Sequence, residues 1–388
     1  MTMEQQWTGG LALAEKYYTE YGSRARELKA AGRKVIGYLS ALGPVEVLTA
    51  AGVVPIRLKG SVSDPITKAD AYMETIVCPF IRNVFDSTLK GRFNYLDGMV
   101  MPHQCDSTDK TNNEWRYNLG LPYWHFLNVP HVTDDSSVDF FKSVLGVFIK
   151  SLERFTGREI TAAALASAVA AHNQNRRAMR ALYSLRRVDP PLISGSEMMK
   201  VLVAAMSLPV EESTALIRNV TEEVTQRPAP PGSRSGSRLM LIGDQIDDVA
   251  IPQIIEGAGA RLVMDDLSIG SKIYRSDVDA TPDALTGIAE RYLRRVKLPT
   301  TFVSEGNTYE ENLEARFGHL THCIKEFNVN AVILFIYKYC DPYGFEVPSI
   351  KGFIESAGTP VLYLEDEYST SSLGRVKTRV EAFLEMIA

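Results

Sequence analysis

The sequence predicts an α/β protein, two parallel-sheet domains with a helical insert between them, on three observations. Short apolar runs alternate with amphipathic, helix-period segments near both ends of the chain, as in parallel strands joined through helices that cover both faces of a sheet. Between about 135 and 225 the strand signal vanishes and long helical periods take over. "QRPAPPGSRSGSR" then breaks the pattern with Pro, Gly and Ser, a linker composition. The expected parts are 1–134, an N-terminal α/β domain; 135–228, a helical subdomain; and 237–388, a C-terminal α/β domain. With 388 residues, 45% of them hydrophobic, the chain has apolar material enough for a core in each part.

Residues 11 to 31 carry a charged, helix-favouring pattern, and "RKVIGYLSAL" reads as a strand that breaks at Gly43-Pro44. "PVEVLTAAG" follows as a helix, with Pro44 tolerated in its first turn and Gly52 suited to its C-terminal cap. The next strands are "VVPIRLKG", "METIVC", "LDGMVMPHQC" and "LPYWHFLNVP". Between the second and third of these, "PFIRNVFDSTLKGRFNY" places Ile81, Val84, Phe85 and Leu89 on one helical face. "DFFKSVLGVFIKSLERFTG" and "TAAALASAVAAHNQNRRAMRALYSLRR" open the helical subdomain, and two more helical stretches close it. Beyond the linker, "LMLIGDQIDDVAIPQIIEGAGARLVMDD" repeats the strand-helix-strand order. A helix "NLEARFGHLTHCIKEFNV", a strand "NAVILFIYKYC", a helix "PSIKGFIESAG", a strand "TPVLYLEDEY" and a closing helix complete the chain. Both outer parts read as Rossmann- or flavodoxin-like units.

A formal charge of −5 gives no broad attraction to nucleic acid or to an anionic membrane. No basic start followed by an apolar core opens the chain, and no segment approaches about 18 consecutive apolar residues; a cytosolic, cytoplasmic protein is expected. Four widely separated cysteines, Cys78, Cys105, Cys323 and Cys340, do not suggest a disulfide framework.

Three of them share a location. Cys78 ends "METIVC", Cys105 follows "GMVMP" and Cys340 ends "AVILFIYKYC", so all three are expected at the carboxyl ends of parallel strands, where open α/β sheets bind ligands. Free cysteine is also a common buried residue, and inert packing is the alternative for each. Thiolates favour zinc, copper(I) or iron–sulfur clusters, and three of them leave one metal corner without a protein thiolate. "HLTHC" offers His319, His322 and Cys323 at helical spacing, but Leu320, Cys323, Ile324 and Phe327 form a core stripe, and packing is the preferred reading. The glycines of "EGAGARL" follow a helix rather than open one, so they read as a helix cap, and no G-x-x-x-x-G-K-[ST] is present. The acidic "LEDEYSTSS" reads as a solvated loop. Glu46 in "GPVEV" and His103 in "MPHQC" lie near expected turns or strand ends and are the candidates for proton transfer; a helix N-terminal charge is the alternative for Glu46.

The blocks "GPVEVLTAAGVVPIRL", "CPFIRNVFDSTLKG", "LDGMVMPHQCDS", "GDQIDDVAIPQIIEGAGARLVMDD" and "KYCDPYGFEVPSIKGFIESAGTPVLYLEDEYSTSSLGRVKTRVEAFLE" span nearly the whole chain. In them the sequence resembles the 2-hydroxyacyl-CoA dehydratase and benzoyl-CoA reductase family of iron–sulfur subunits. "DPPLISGSE", "CDPYGFEVP" and "EDEYSTSSLGRVKTR" look most like the small subunits of ATP-dependent benzoyl-CoA reductase. The resemblance implies one [4Fe–4S] cluster on Cys78, Cys105 and Cys340, with no such role for Cys323. It implies an oxidoreductase of an aromatic CoA thioester, yielding a cyclic dienoyl-CoA, or alternatively a hydro-lyase acting on a 2-hydroxyacyl-CoA, or an electron-relay subunit. The implied partners are a homologous iron–sulfur subunit, ATPase activator subunits that hold ATP and a further cluster, ferredoxin as electron donor, and the acyl-CoA substrate. The basic "SRSGSR" reads as a linker in preference to a contact for CoA phosphates.

Overall fold

A computed structural model describes residues 9–228, 236–281, 283–303 and 308–387. The described residues form two four-stranded sheets, both wholly parallel. The first contains β1 (Val35–Tyr38), β2 (Val54–Arg57), β3 (Gly98–Pro102) and β4 (Tyr123–Leu127), in the order β2-β1-β3-β4. The second contains β5 (Arg238–Ile242), β6 (Arg261–Asp266), β7 (Ala331–Tyr337) and β8 (Val361–Asp366), in the order β6-β5-β7-β8. Ile36 pairs with Gly98 in the first sheet and Leu239 with Ala331 in the second. β7 is buried along its whole length, which accounts for its unbroken apolar sequence. In each sheet the first strand in the chain lies between the second and third, so the winding reverses there and leaves a crevice at the carboxyl ends.

The helices of the N-terminal part are α1 (Gly10–Thr19), α2 (Ser23–Ala30), α3 (Val45–Ala50), α4 (Pro79–Leu89), α5 (Asp106–Lys110) and α6 (Asn112–Leu119). α7 (Asp135–Thr156), α8 (Ala162–Ser184), α9 (Gly195–Ala205) and α10 (Val210–Gln226) make the helical stretch. α11 (Ala250–Gly257), α12 (Ser271–Tyr274), α13 (Ala284–Glu290), α14 (Tyr309–Glu326), α15 (Asp341–Ser356) and α16 (Leu373–Ile387) complete the chain, and α13 runs into a π-helical turn at Arg291–Arg295. α7 illustrates why these segments hold. Asp134 caps it by accepting from Ser137 N at 2.7 Å, and Gly157 ends it in the left-handed region at φ 69°. Val138, Phe141, Leu145, Phe148 and Leu152 form its buried stripe, and each fully buried phenylalanine contributes roughly 2–3 kcal/mol.

Helical packing crosses the boundaries expected at 134 and 228. α1 rests on α9 and α10, α3 on α8, and α13 on α7. One apolar cluster joins Leu58 and Phe80 of the first half to Leu241 and Phe335 of the second. The strand expected at "METIVC" is absent. The Asp86 carboxylate takes the N–H groups of Thr67, Lys68 and Ala69 at 2.8, 2.5 and 3.0 Å, and the chain reaches Cys78 through turns. Met73 is buried while Glu74, Thr75 and Ile76 are all exposed, a run of three exposed residues that a two-residue strand period does not produce. Among the described residues no helix is long and apolar enough to cross a membrane.

Candidate thiol-lined site

The crevices of the two sheets share one pocket, with about 540 Å³ of space. Ser40 reaches it from the end of β1, Gln104 and Cys105 from β3, Asp244 and Gln245 from β5, and Tyr339 and Cys340 from β7. Cys78 joins them from the turn ahead of α4. The sequence reading thus misplaced the local structure of Cys78, yet all three thiols line the same space. Cys323 does not; it is buried in the core on α14 beside Leu320 and Ile324.

Each of the three cysteines stands at the N-cap of a helix, Cys78 of α4, Cys105 of α5 and Cys340 of α15. Proline in the first turn starts α4 and α15, where its missing N–H costs nothing. The N–H groups of Phe80 and Ile81 are directed at the Cys78 sulfur, those of Ser107 and Thr108 at Cys105, and that of Tyr343 at Cys340. Burial nevertheless pushes the Cys78 thiol up to about 12 and Cys105 to about 11, and Cys340 rises as well, driven first by burial and then by the charge of Cys78. Without a cation these thiols are protonated; a bound soft metal would hold them as thiolates, their charge shared with the helix N–H groups. The four cysteines are free, and among the described residues no group of three or more His, Cys, Asp or Glu is gathered as for a single metal ion.

A hydrogen-bond network that the sequence reading missed braces the pocket. Ser40 Oγ donates to Gln104 Oε1, Gln104 Nε2 donates to Asp244 Oδ2 at 3.1 Å, and Ser268 Oγ donates to Asp244 Oδ1. Ser40 and Tyr339 have φ of 90° and 61°, a left-handed backbone that costs side-chain-bearing residues energy and concentrates at sites. The only warning in the sequence is polar residues directly after apolar strands, in "YLS" and "IGDQ".

Of the two proton-transfer candidates, neither lines this pocket. Glu46 is fully buried on α3, paired with Arg176 and accepting from Tyr292 OH at 2.9 Å. Burial alone would raise its carboxyl; Arg176, then His172 and Arg291, outweigh burial and hold it at about 2. His103 packs its ring on His131, centroids 4.7 Å apart, and points its backbone carbonyl at His131 Nε2. A second pocket of about 680 Å³ adjoins the first at Ser40, which lines both.

The sequence matches the model of the family described as 2-hydroxyglutaryl-CoA dehydratase, D-component, over residues 41–387. The chain belongs to that family. It is 25% identical over 366 residues to the (R)-phenyllactyl-CoA dehydratase beta subunit of Clostridium sporogenes, covering 93% of this chain and 94% of that one. It is 23% identical over 384 residues to a subunit of benzoyl-CoA reductase from Thauera aromatica, covering 97% of each. Among solved structures, the SsGBP and GDP complex aligns with 92% of this chain and 99% of its own at 8% identity and a TM-score of 0.23.

Other expected features have structural places. Residues 233–235 of "SRSGSR" lie outside the described residues, and Arg238 at its end is buried in β5, donating to the carbonyls of Phe327 and Arg186. In "LEDEYSTSS", Asp366 is buried and paired with Arg375, and Tyr368 donates to Asp247 at 2.6 Å, so this segment is partly core.

Proposed function

We propose that this chain is the iron–sulfur subunit of an enzyme that dehydrates a 2-hydroxyacyl-CoA, paired with a homologous subunit and served by an ATP-hydrolysing activator that ferredoxin reduces. The observation that carries the reading is the meeting of Cys78, Cys105 and Cys340, far apart in sequence, around one pocket at the reversal points of two sheets. They would each ligate a different iron of one [4Fe–4S] cluster, which asks for a wider triangle of thiols than a single ion does and leaves the fourth iron open. Bound there, the cluster would supply single low-potential electrons to the substrate. The chain's own residues do the rest. Helix N–H groups offset thiolate charge, Ser40, Gln104 and Asp244 fix the polar part of the wall beside the thiols, and Leu39, Phe80, Ile81 and Leu298 keep bulk water out. Glu46, ionised and locked to Arg176, acts in positioning; His103, next to Gln104 in sequence but off the pocket wall, is kept as the proposed proton carrier.

The dehydratase reading is supported by the match to the 2-hydroxyglutaryl-CoA dehydratase D-component model and by the similarity to the (R)-phenyllactyl-CoA dehydratase beta subunit. The second reading is the iron–sulfur subunit of an ATP-dependent benzoyl-CoA reductase, supported by the blocks "CDPYGFEVP" and "EDEYSTSSLGRVKTR" and by the similarity to the Thauera aromatica benzoyl-CoA reductase. Anaerobically purified protein should carry about four irons per chain; zinc in their place would sink the cluster. With activator, ATP and a low-potential donor, the complex should dehydrate a 2-hydroxyacyl-CoA. Turnover of benzoyl-CoA instead would establish the second reading, and a substrate-bound structure with no acyl group near the thiols would make this chain a relay.

A further inference from the structure

Besides the thiols, one acidic side chain stands on the wall of the thiol pocket. Asp244, just past β5, is the only Asp, Glu, Lys, Arg or His among the described residues that line it. With Cys78 and Cys340 it also lines a smaller pocket of about 290 Å³. Its carboxylate is held from both sheets: Gln104 Nε2 donates to Oδ2 at 3.1 Å, Gln245 Nε2 to the same oxygen at 3.2 Å, and Ser268 Oγ to Oδ1. Among the described residues these hydrogen-bond partners are all neutral.

The two amides can face the carboxylate in only one way. Gln104 Oε1 already accepts from Ser40 Oγ and from Ala41 N at 3.3 Å, and Gln245 Oε1 accepts from Arg57 Nη2 at 2.9 Å. With both oxygens committed, each side chain turns its NH2 group to Asp244. Gln104, Gln245 and Ser268 are themselves buried, so the cradle is fixed, and a set made only of donors suits an ionised carboxylate. Arg57 is the first cation along these bonds, one amide removed. The negative charge therefore stays on the pocket wall with no cation in contact with it.

That charge is felt at all three sulfurs, where it opposes further negative charge. An electron added to a group bound there is negative charge of the same kind. The N–H groups at the starts of α4, α5 and α15 favour its arrival; a carboxylate fixed in a pocket shielded from bulk water resists it.

We infer that Asp244 sets the reduction potential of the group held by Cys78, Cys105 and Cys340, its fixed charge making that group harder to reduce and a stronger donor once reduced. The step it tunes is the gain of one electron from the activator, with no bond made or broken. Asp244 exchanges neither proton nor electron and acts through space. That the group is a [4Fe–4S] cluster rests on the proposed function.

Reductive titration of the anaerobically purified chain with europium(II) chelates, followed by electron paramagnetic resonance, tests it. Asp244→Asn should keep about four irons and make one-electron reduction at least tenfold more favourable, a midpoint about 59 mV higher. Asp244→Glu, which keeps the charge, should stay within threefold of the parent. So should Asp248→Asn, which removes a carboxylate that Tyr18 holds and that lines neither pocket. The asparagine amide would meet two other NH2 groups, so Asp244→Ser, whose hydroxyl can still accept, is a second neutral variant with the same expected shift. Neutral variants within threefold of the parent overturn the inference, as does an equal shift in Asp244→Glu or Asp248→Asn. Loss of iron from both neutral variants also overturns it and makes the carboxylate part of what holds the cluster. A parent chain with its iron and an unmoved midpoint sinks the inference alone; a parent chain without iron sinks it together with the proposed cluster.

Discussion

Replacing Glu46 by Gln removes one charge from a pair in which both partners are buried, with Glu46 at 0% and Arg176 at 5% side-chain exposure. Burial pushes the carboxyl up, but Arg176, His172 and Arg291 together pull it down to about 2, against an ordinary value of 4.5. At about 1.4 kcal/mol for each pH unit, this gap contributes roughly 3 kcal/mol to stability at neutral pH. The figure matches the ~3–5 kcal/mol expected when a buried pair loses one member and its partner stays behind uncompensated. Since the folded protein favours the ionised form, the contribution is complete above about pH 4.5 and fades as the pH falls towards about 2. The Gln variant never has it, so the difference between the two proteins should be near its full size at pH 7 and about half of it near pH 3. Urea unfolding followed by far-ultraviolet circular dichroism at both pH values measures this directly. A difference below about 1 kcal/mol at neutral pH, or one that does not narrow in acid, would refute an electrostatic role for the pair.

Cys340→Ala should abolish iron retention while Cys323→Ala keeps it, as read by iron analysis of anaerobic protein; equal loss in both would remove Cys340 from the ligand set. In metal-free protein, burial pushes Cys78 to about 12 and Cys105 to about 11. Their alkylation by iodoacetamide should therefore rise about tenfold per pH unit between pH 8 and 10, and a flat rate would mean the thiolates already exist at neutral pH. Asp86→Ala strands the three N–H groups of Thr67, Lys68 and Ala69. It should cost about 3 kcal/mol and speed proteolysis in the 61–77 segment; an unchanged cleavage pattern would show that the turns ahead of Cys78 hold without it.

How far the sequence discloses the site differs residue by residue. Cys105 and Cys340 were readable because each follows a strand announced by its apolar run, β3 and β7, and the end of a parallel strand is a predictable address. Cys78 was expected beside the other two thiols for a wrong local reason: "METIVC" has apolar residues without a strand period, and the carboxylate that shapes the segment, Asp86, lies on the following helix. Arg57 had little local signal. An arginine closing "VPIR" is an ordinary strand end in sequence, and only packing of the two halves reveals that its charge is shut away from water behind Gln245. Glu46 looked like a free helix-start carboxylate because its partner Arg176 lies on another helix, far along the chain.

The N-terminal half supplies two thiols, Cys78 and Cys105, and the last is Cys340, which follows β7 of the second sheet. A ribosome making this protein therefore finishes the first sheet and the long helices before the third thiol exists. Any group that needs all three thiols cannot be held until Cys340 has been made, and a chain cut before β7 would lack one of them.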